Sequence, residues 1–339
     1  MSERPETASA RPKVLVTNRV HASVIERLQA ECDVDVNESG RILAPDELSR
    51  RTVDATAMMA FMTDHIDRDF LAACPQLQII AGAFKGFDNI DVAACTERGV
   101  WVTRVADLLT IPTAELAIGL VLSLSRNIVA GDRLMRAGPF RGWRPILYGT
   151  GLTGKCVGLY GMGAVGQAIA ERMGGFGVRT VYYDPRPLPP EKEIALRLRY
   201  VPFDELLAES DYLIVAAPLT DDNLHAFDEA ALARMKPGSF LINVGRGSVV
   251  DEQAVARALQ SGVLAGFAAD VYETEDQSRP ARPSQIEPAL LAEIDRTVLT
   301  PHLGSAVDSV REQIELEAAD NILAVIRGQA PPGAVNRPR

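Results

Sequence analysis

The chain has 339 residues, 47% of them hydrophobic and 24% charged, with a formal net charge of −10. That length suggests two domains, and the acidic balance argues against a nucleic-acid partner and a basic membrane-binding face. No apolar run is long enough to cross a bilayer. The four cysteines (Cys32, Cys74, Cys95 and Cys156) stand apart without metal-ligand spacing. They read as reduced thiols, and the polar opening segment has no signal-peptide core, so a cytoplasmic protein without a metal site is expected.

In chain order, the segment up to about Ala10 reads as a flexible extension. Strands are expected over 13–17, 33–36, 57–61, 77–81 and 100–103, and helices over 22–30, 45–51, 67–73 and 92–98. Strands alternating with helices predict an α/β unit with a parallel sheet covered on both faces. A long Ala/Leu-rich helix follows over 113–136, entered at Pro112 and apolar enough to need cover on more than one side. A second α/β unit has strands over 156–160, 180–183, 212–216, 240–243, 264–269 and 297–299, with a helix over 251–259. The Pro- and charge-rich stretch 273–287 reads as an ordered surface loop. A last helix over 307–327 is long enough to return to the first unit. The expected domains are therefore 1–107 with 307–339, and 108–306.

The most informative stretch is the apolar run ending at Tyr160, followed by Gly161-Met162-Gly163-Ala164-Val165-Gly166 and a helical segment. This is strand, G-x-G-x-x-G turn, helix. Gly161 permits the tight turn, Gly163 the approach of a pyrophosphate, and Gly166 close helix–strand packing, while the helix N-terminus offers N–H groups to phosphate. Asp184 ends the next apolar run, roughly 20 residues on, where a carboxylate accepts the ribose hydroxyls of NAD. Arg186 lies two residues further and could partly accommodate a 2′-phosphate, so NAD is the expected cofactor, with some tolerance of NADP.

Three further sites follow strands: Arg246 in Asn243-Val244-Gly245-Arg246-Gly247, Glu275 at the end of Asp270-Val271-Tyr272-Glu273-Thr274-Glu275, and His302 in Thr300-Pro301-His302-Leu303-Gly304-Ser305. Singly, each has a bland explanation as a solvated charge or a structural histidine. Together, at strand ends of a dinucleotide-binding sheet, they suggest an anion clamp plus a proton-handling pair.

These four segments resemble the D-isomer-specific 2-hydroxyacid dehydrogenase family over nearly the whole chain. The resemblance implies two Rossmann-like doubly wound domains, the first flavodoxin-like and substrate-binding and the second NAD-binding, with a cleft between them and usually a homodimer. It implies that Arg246 binds the substrate anion, His302 acts as acid/base and Glu275 supports His302. It further assigns Thr113, Gly161, Gly163, Ala164, Val165, Gly166, Asp184, Ala216, Ala217, Pro218, Val244, Gly245, Arg246, Asp270, His302 and Ser305 to the cofactor.

A narrower resemblance, to the phosphonate dehydrogenases of that family, rests on Ala83-Phe84-Lys85-Gly86-Phe87-Asp88-Asn89, where a lysine precedes the glycine of a carboxylate cradle. It is supported by Met58-Met59-Ala60-Phe61-Met62, Gly142-Trp143, Tyr148-Gly149-Thr150-Gly151-Leu152 and Pro288-Ala289-Leu290-Leu291. It implies oxidation of phosphite, a small inorganic anion, to phosphate with NAD. The pocket would comprise Met62, Lys85, Gly86, Trp143, Tyr148, Ser305 and Arg311, with Lys85 among the catalytic residues. Lys85, Arg246 and Arg311 would offset the desolvation of a tetrahedral oxyanion. His302 would activate the attacking water, or would orient the substrate while an arginine assists the water. The alternatives are a dehydrogenase for a small 2-hydroxy acid, and an NAD(H)-sensing binding protein on the same fold.

Overall fold

The computed structural model describes residues 11–138, 140–279 and 281–338. The opening segment expected to be flexible lies outside these. In chain order the elements are β1 (Lys13–Val16), α1 (Ala22–Gln29), β2 (Asp33–Val36), α2 (Pro45–Thr52), β3 (Ala57–Ala60), α3 (Arg68–Ala73), β4 (Ile79–Gly82), α4 (Val92–Glu97) and β5 (Trp101–Thr103). Then follow α5 (Thr110–Ser125), α6 (Ile128–Ala137), β6 (Cys156–Tyr160), α7 (Ala164–Met173), β7 (Arg179–Tyr183), α8 (Pro190–Leu196), β8 (Leu198–Tyr200), α9 (Phe203–Glu209) and β9 (Tyr212–Val215). The chain closes with α10 (Glu229–Leu232), β10 (Ser239–Asn243), α11 (Glu252–Ser261), β11 (Leu264–Ala269), α12 (Pro288–Ala292), β12 (Thr297–Leu299) and α13 (Asp308–Ile326). Contacts divide it into two compact units: residues up to Leu108 with those from Val307 onward, and Leu109–Ala306.

The first unit holds a five-stranded parallel sheet in the order β2-β1-β3-β4-β5. Its inner strands are continuous apolar runs, AMMA in β3 and IIAG in β4, buried at every position. Such runs suit a parallel sheet covered on both faces. One face packs a core around Leu15, Met58, Ile80 and Val102, while α13 lies against β3 and β4 and packs along α1. The order of strands reverses between β1 and β3, so the loops that follow these two strands flank the place where such sheets bind ligands.

The second unit holds a seven-stranded parallel sheet, β12-β11-β10-β9-β6-β7-β8. The chain turns back between β6 and β9, its own ligand-binding switch point. Separate apolar cores cover the two faces, one around Leu213, Leu241 and Phe267 and the other around Val157, Ile214 and Ile242.

The single helix expected over 113–136 is two. α5 and α6 meet at a bend of 61°, where Asn127 adopts the left-handed conformation (φ 54°), which asparagine tolerates better than most residues. The break is held from outside the helix. Thr150 donates its N–H to the Ser125 carbonyl at 2.8 Å, and the Asn127 amide donates to Leu147 O at 3.3 Å. Helix α5 is covered within its unit, whereas α6 has no buried residue. No single helix among the described residues is long and apolar enough to cross a membrane.

Candidate active site

The glycine turn is built as its spacing demands. Gly161 has φ 96°, and a Cβ there would lie 2.8 Å from Ala217 N. At Gly166 a Cβ would meet the Gly161 carbonyl oxygen at 2.2 Å, so α7 packs on the turn as only glycine allows. At Gly163, the N-cap of α7, a Cβ would meet nothing within 4 Å. Asp184 closes the far side: one carboxylate oxygen accepts from Met162 N at 2.8 Å and the other from Arg186 N at 2.9 Å. This ties the end of β7 to the turn. The α7 N-terminus, the bare Gly163 and the anchored Asp184 fit the pyrophosphate and ribose of a dinucleotide. Ala216, Ala217 and Pro218 follow β9, and Val244 and Gly245 follow β10, so all five lie at carboxyl ends of the sheet. Gly245 is pressed against the Ala217 carbonyl, where a Cβ would approach to 2.4 Å.

Next to this turn, the ends of β10, β11 and β12 bring the three candidate groups into one framework. Glu275 ends a short 3-10 turn over Glu273–Glu275. One of its oxygens accepts from Tyr272 N at 2.9 Å, and the other lies 2.5 Å from His302 Nδ1. His302 has φ 55°, and its backbone N–H is held by Asp270 O at 3.0 Å. Asp270 is buried and accepts from Leu303 N, Gly304 N and Thr300 Oγ1 at 2.6–2.8 Å. Burial raises its carboxyl above the usual range, against those hydrogen bonds. Thr113 donates to Gly304 O at 3.2 Å, joining α5 to the same loop, and Ser305 follows.

Arg246 is half-buried in the turn after β10, with a guanidinium nitrogen 3.0 Å from Gly245 O. Its neighbour Gly247 has no room for a side chain: a Cβ would lie 1.9 Å from Tyr272 C. The Arg246 and Glu275 turns are thus packed backbone to backbone. Buried Asp276 takes Ser248 N at 2.7 Å, and Glu252 and Glu273 accept each other's N–H at 2.9 and 3.0 Å. Sequence reasoning passes over this lacing, because Glu252 reads as an ordinary acidic residue in the first turn of a helix. Nothing in its spacing places its carboxylate beside Glu273.

Within the first unit, Met62 follows β3, and Lys85 and Gly86 follow β4, all three half-buried. Burial lowers the Lys85 ammonium below the usual lysine range, with Asp107 opposing and Arg104 assisting. Arg311, on α13, reaches both loops. Its guanidinium lies 5.7 Å from the centre of the Phe61 ring and donates to Ala83 O at 3.3 Å. The two loops are braced beneath by Asn89, whose amide donates to Asp64 O at 2.7 Å and Phe61 O at 3.3 Å. Trp143 and Tyr148 lie in the segment after α6, exposed by 80% and 74%. No cluster among the described residues has the makeup to hold a metal ion.

Residues 118–304 match the family model for the NAD-binding domain of D-isomer-specific 2-hydroxyacid dehydrogenases. The chain is similar to a glyoxylate reductase of Pyrococcus furiosus, 38% identical over 332 residues that cover 96% of each protein. Among solved structures it is similar to a putative D-isomer-specific 2-hydroxyacid dehydrogenase from Polaromonas sp. (TM-score 0.87, 30% identical, covering 97% of this chain and 100% of that one). It is also similar to an NADPH-dependent glyoxylate/hydroxypyruvate reductase from Sinorhizobium meliloti in complex with NADP and malonate (TM-score 0.83, 31% identical, covering 96% and 97%).

Proposed function

Because the chain belongs to the D-isomer-specific 2-hydroxyacid dehydrogenase family, we propose that it interconverts a small 2-oxo acid such as glyoxylate with its 2-hydroxy acid. The observation that carries this reading is the His302–Glu275 pair beside the Arg246 turn, in a unit with an NAD-binding domain. With Nδ1 committed to Glu275, His302 presents Nε2 to the substrate oxygen. It takes the hydroxyl proton in oxidation and returns it in reduction. Arg246 holds the carboxylate through its forked guanidinium. A nicotinamide cofactor bound in this unit would supply or accept the hydride. The relatives named glyoxylate reductase, in Pyrococcus and elsewhere, support this substrate class.

A second reading is favoured by one feature, the half-buried Lys85 at the end of β4. A carboxylate can be held by loop N–H groups and one arginine, whereas phosphite carries up to two charges and gives a second fixed cation a use. In that reaction His302 would take a proton from the water whose oxygen bonds to phosphorus, and a bound nicotinamide would accept the hydride of the broken P–H bond.

Purified protein should be assayed by nicotinamide absorbance with glyoxylate and NADH, glyoxylate and NADPH, a panel of 2-hydroxy acids with NAD, and phosphite with NAD. Fastest turnover with a 2-oxo or 2-hydroxy acid is the expected result. Preference for phosphite replaces it with the second reading, and Lys85→Ala should then lower phosphite efficiency by about tenfold to a hundredfold. No turnover with any of them defeats both.

A further inference from the structure

Helix α13 carries Arg311 and, one turn later, Glu315. The Glu315 carboxylate is buried, and its two oxygens go to different partners. Oε1 lies 3.4 Å from an Arg311 guanidinium nitrogen. Oε2 accepts from the backbone N–H of His21 at 3.1 Å and lies 2.7 Å from His21 Nδ1. His21 is the N-cap of α1 in the segment after β1, one of the two strands that flank the strand-order reversal.

We propose that His21 is a positioning residue that, by sharing Glu315 with Arg311, sets how much of the Arg311 charge is left for an anionic substrate. The inference rests on the reading that Arg311 contributes to the substrate site. Both ring nitrogens of His21 face carboxylate oxygens, Nδ1 that of Glu315 and Nε2 that of Asp308 at 3.3 Å. A neutral imidazole has one N–H and satisfies one of them; the imidazolium satisfies both. In agreement, the hydrogen bond to Glu315 raises the His21 pKa above its ordinary 6.5, with burial opposing and Asp308 adding to the rise. The other charged groups along this seam are Arg311 itself, Glu312, which accepts from Ser23 at 2.6 Å, and Arg27 paired with Asp320. Asp64, bound to Thr17 at the end of β1, is a further titratable group of this unit.

The consequence has a definite sign. While His21 is protonated, its charge offsets that of Glu315, and Arg311 attracts an anion more strongly than when His21 is neutral. As pH rises through the His21 pKa, Glu315 is left to Arg311 alone and the attraction for the anion weakens. A small anionic substrate should therefore bind more weakly on the alkaline side, with no change in the chemical step.

The test compares His21→Asn with the unaltered protein at each pH from about 6 to 9, using whichever of glyoxylate or phosphite is turned over faster. Comparison at equal pH removes the titration of the substrate and of His302. In the variant KM should be raised roughly two- to fivefold at the acid end, the size of a partly screened charge interaction. The ratio should fall to one at the alkaline end, with kcat unchanged throughout. His21→Gln should behave alike if the asparagine variant folds poorly. A ratio of one at every pH, or a raised ratio that does not vary with pH, overturns the proposal. Arg311→Gln separates the two levels: unchanged KM there removes Arg311 from the substrate site. A raised KM there, with no effect of His21→Asn, defeats only the role of His21.

Discussion

Of the three histidine–glutamate pairs among the described residues, His302–Glu275 in the second unit and His21–Glu315 in the first differ in what the carboxylate touches next. In the second unit, Glu275 is about a third exposed, and its other oxygen is held by the Tyr272 backbone N–H. It holds the His302 ring by Nδ1 and makes no contact with Nε2. In the first unit, Glu315 is 5% exposed and is shared with a guanidinium. The His21 Nε2 is turned onto Asp308. No ring nitrogen is left for chemistry there, and the pair can only balance charge. On the proposals made above, the first arrangement would orient a proton carrier and the second would adjust a neighbour.

Removing each ring in turn is the strongest way to break this contrast. His302→Ala should lower kcat by about 10²–10⁴-fold, the usual weight of general acid–base assistance. NAD binding, measured by titration, should survive if Asp184 and the glycine turn hold the ribose and pyrophosphate as the site geometry suggests. His21→Ala should leave kcat nearly unchanged. Equal losses in the two variants would dissolve the distinction.

The carboxylates sharpen it from the other side. Glu315→Gln removes a buried charge from a guanidinium and an imidazole together. It should cost about 1.5–3 kcal/mol in denaturant unfolding, the range for hydrogen bonds to charged groups. Glu275→Gln removes a charge at a more exposed position, so it should unfold at nearly the same denaturant concentration while losing turnover. A large stability loss at Glu275, or none at Glu315, would mean that burial does not sort the pairs.

How much of this is legible in sequence depends on whether a feature is written locally. The α/β class is, because fully buried parallel strands such as YLIV in β9 stand out as continuous apolar runs. The glycine turn is, because Gly161 and Gly166 answer local backbone demands. The break at Asn127 is only faintly written: asparagine tolerates the left-handed conformation, but the flanking residues read as one helical run, and the returning Leu147 and Thr150 that take up the helix end are remote in sequence. Strand β8 (Leu198–Tyr200) goes unseen because an edge strand of three largely exposed residues carries no apolar pattern. Around the site, strand ends direct attention to Arg246, Glu275 and His302, and the structure puts the last two in contact. The His21–Glu315 pair spans 294 positions. Its residues read as a loop histidine and a helix-face glutamate until the fold joins them.

A last expectation concerns stability against pH, where two titrating groups of the first unit should act in different windows. His21 has a folded-state pKa above its ordinary 6.5. The stability it contributes is therefore fully present below that value and is lost as pH rises through the raised folded pKa. The ring is partly exposed, so solvent screening should hold the loss below about 1 kcal/mol. Asp64 acts in a lower window. Burial pushes its carboxyl from 3.8 up to about 6, against hydrogen bonds from Phe61 N and Thr17. The unfolded chain then ionises first, and stability declines from near pH 3.8 to about 6 before levelling. Denaturant midpoints taken at closely spaced pH should resolve both declines. Asp64→Asn, whose carbonyl oxygen can accept both hydrogen bonds, should flatten the lower one and leave the upper. His21→Asn should flatten the upper one and leave the lower. If the upper decline persists without His21, its source lies elsewhere, and the charge-balancing role of the His21–Glu315 pair loses its thermodynamic support.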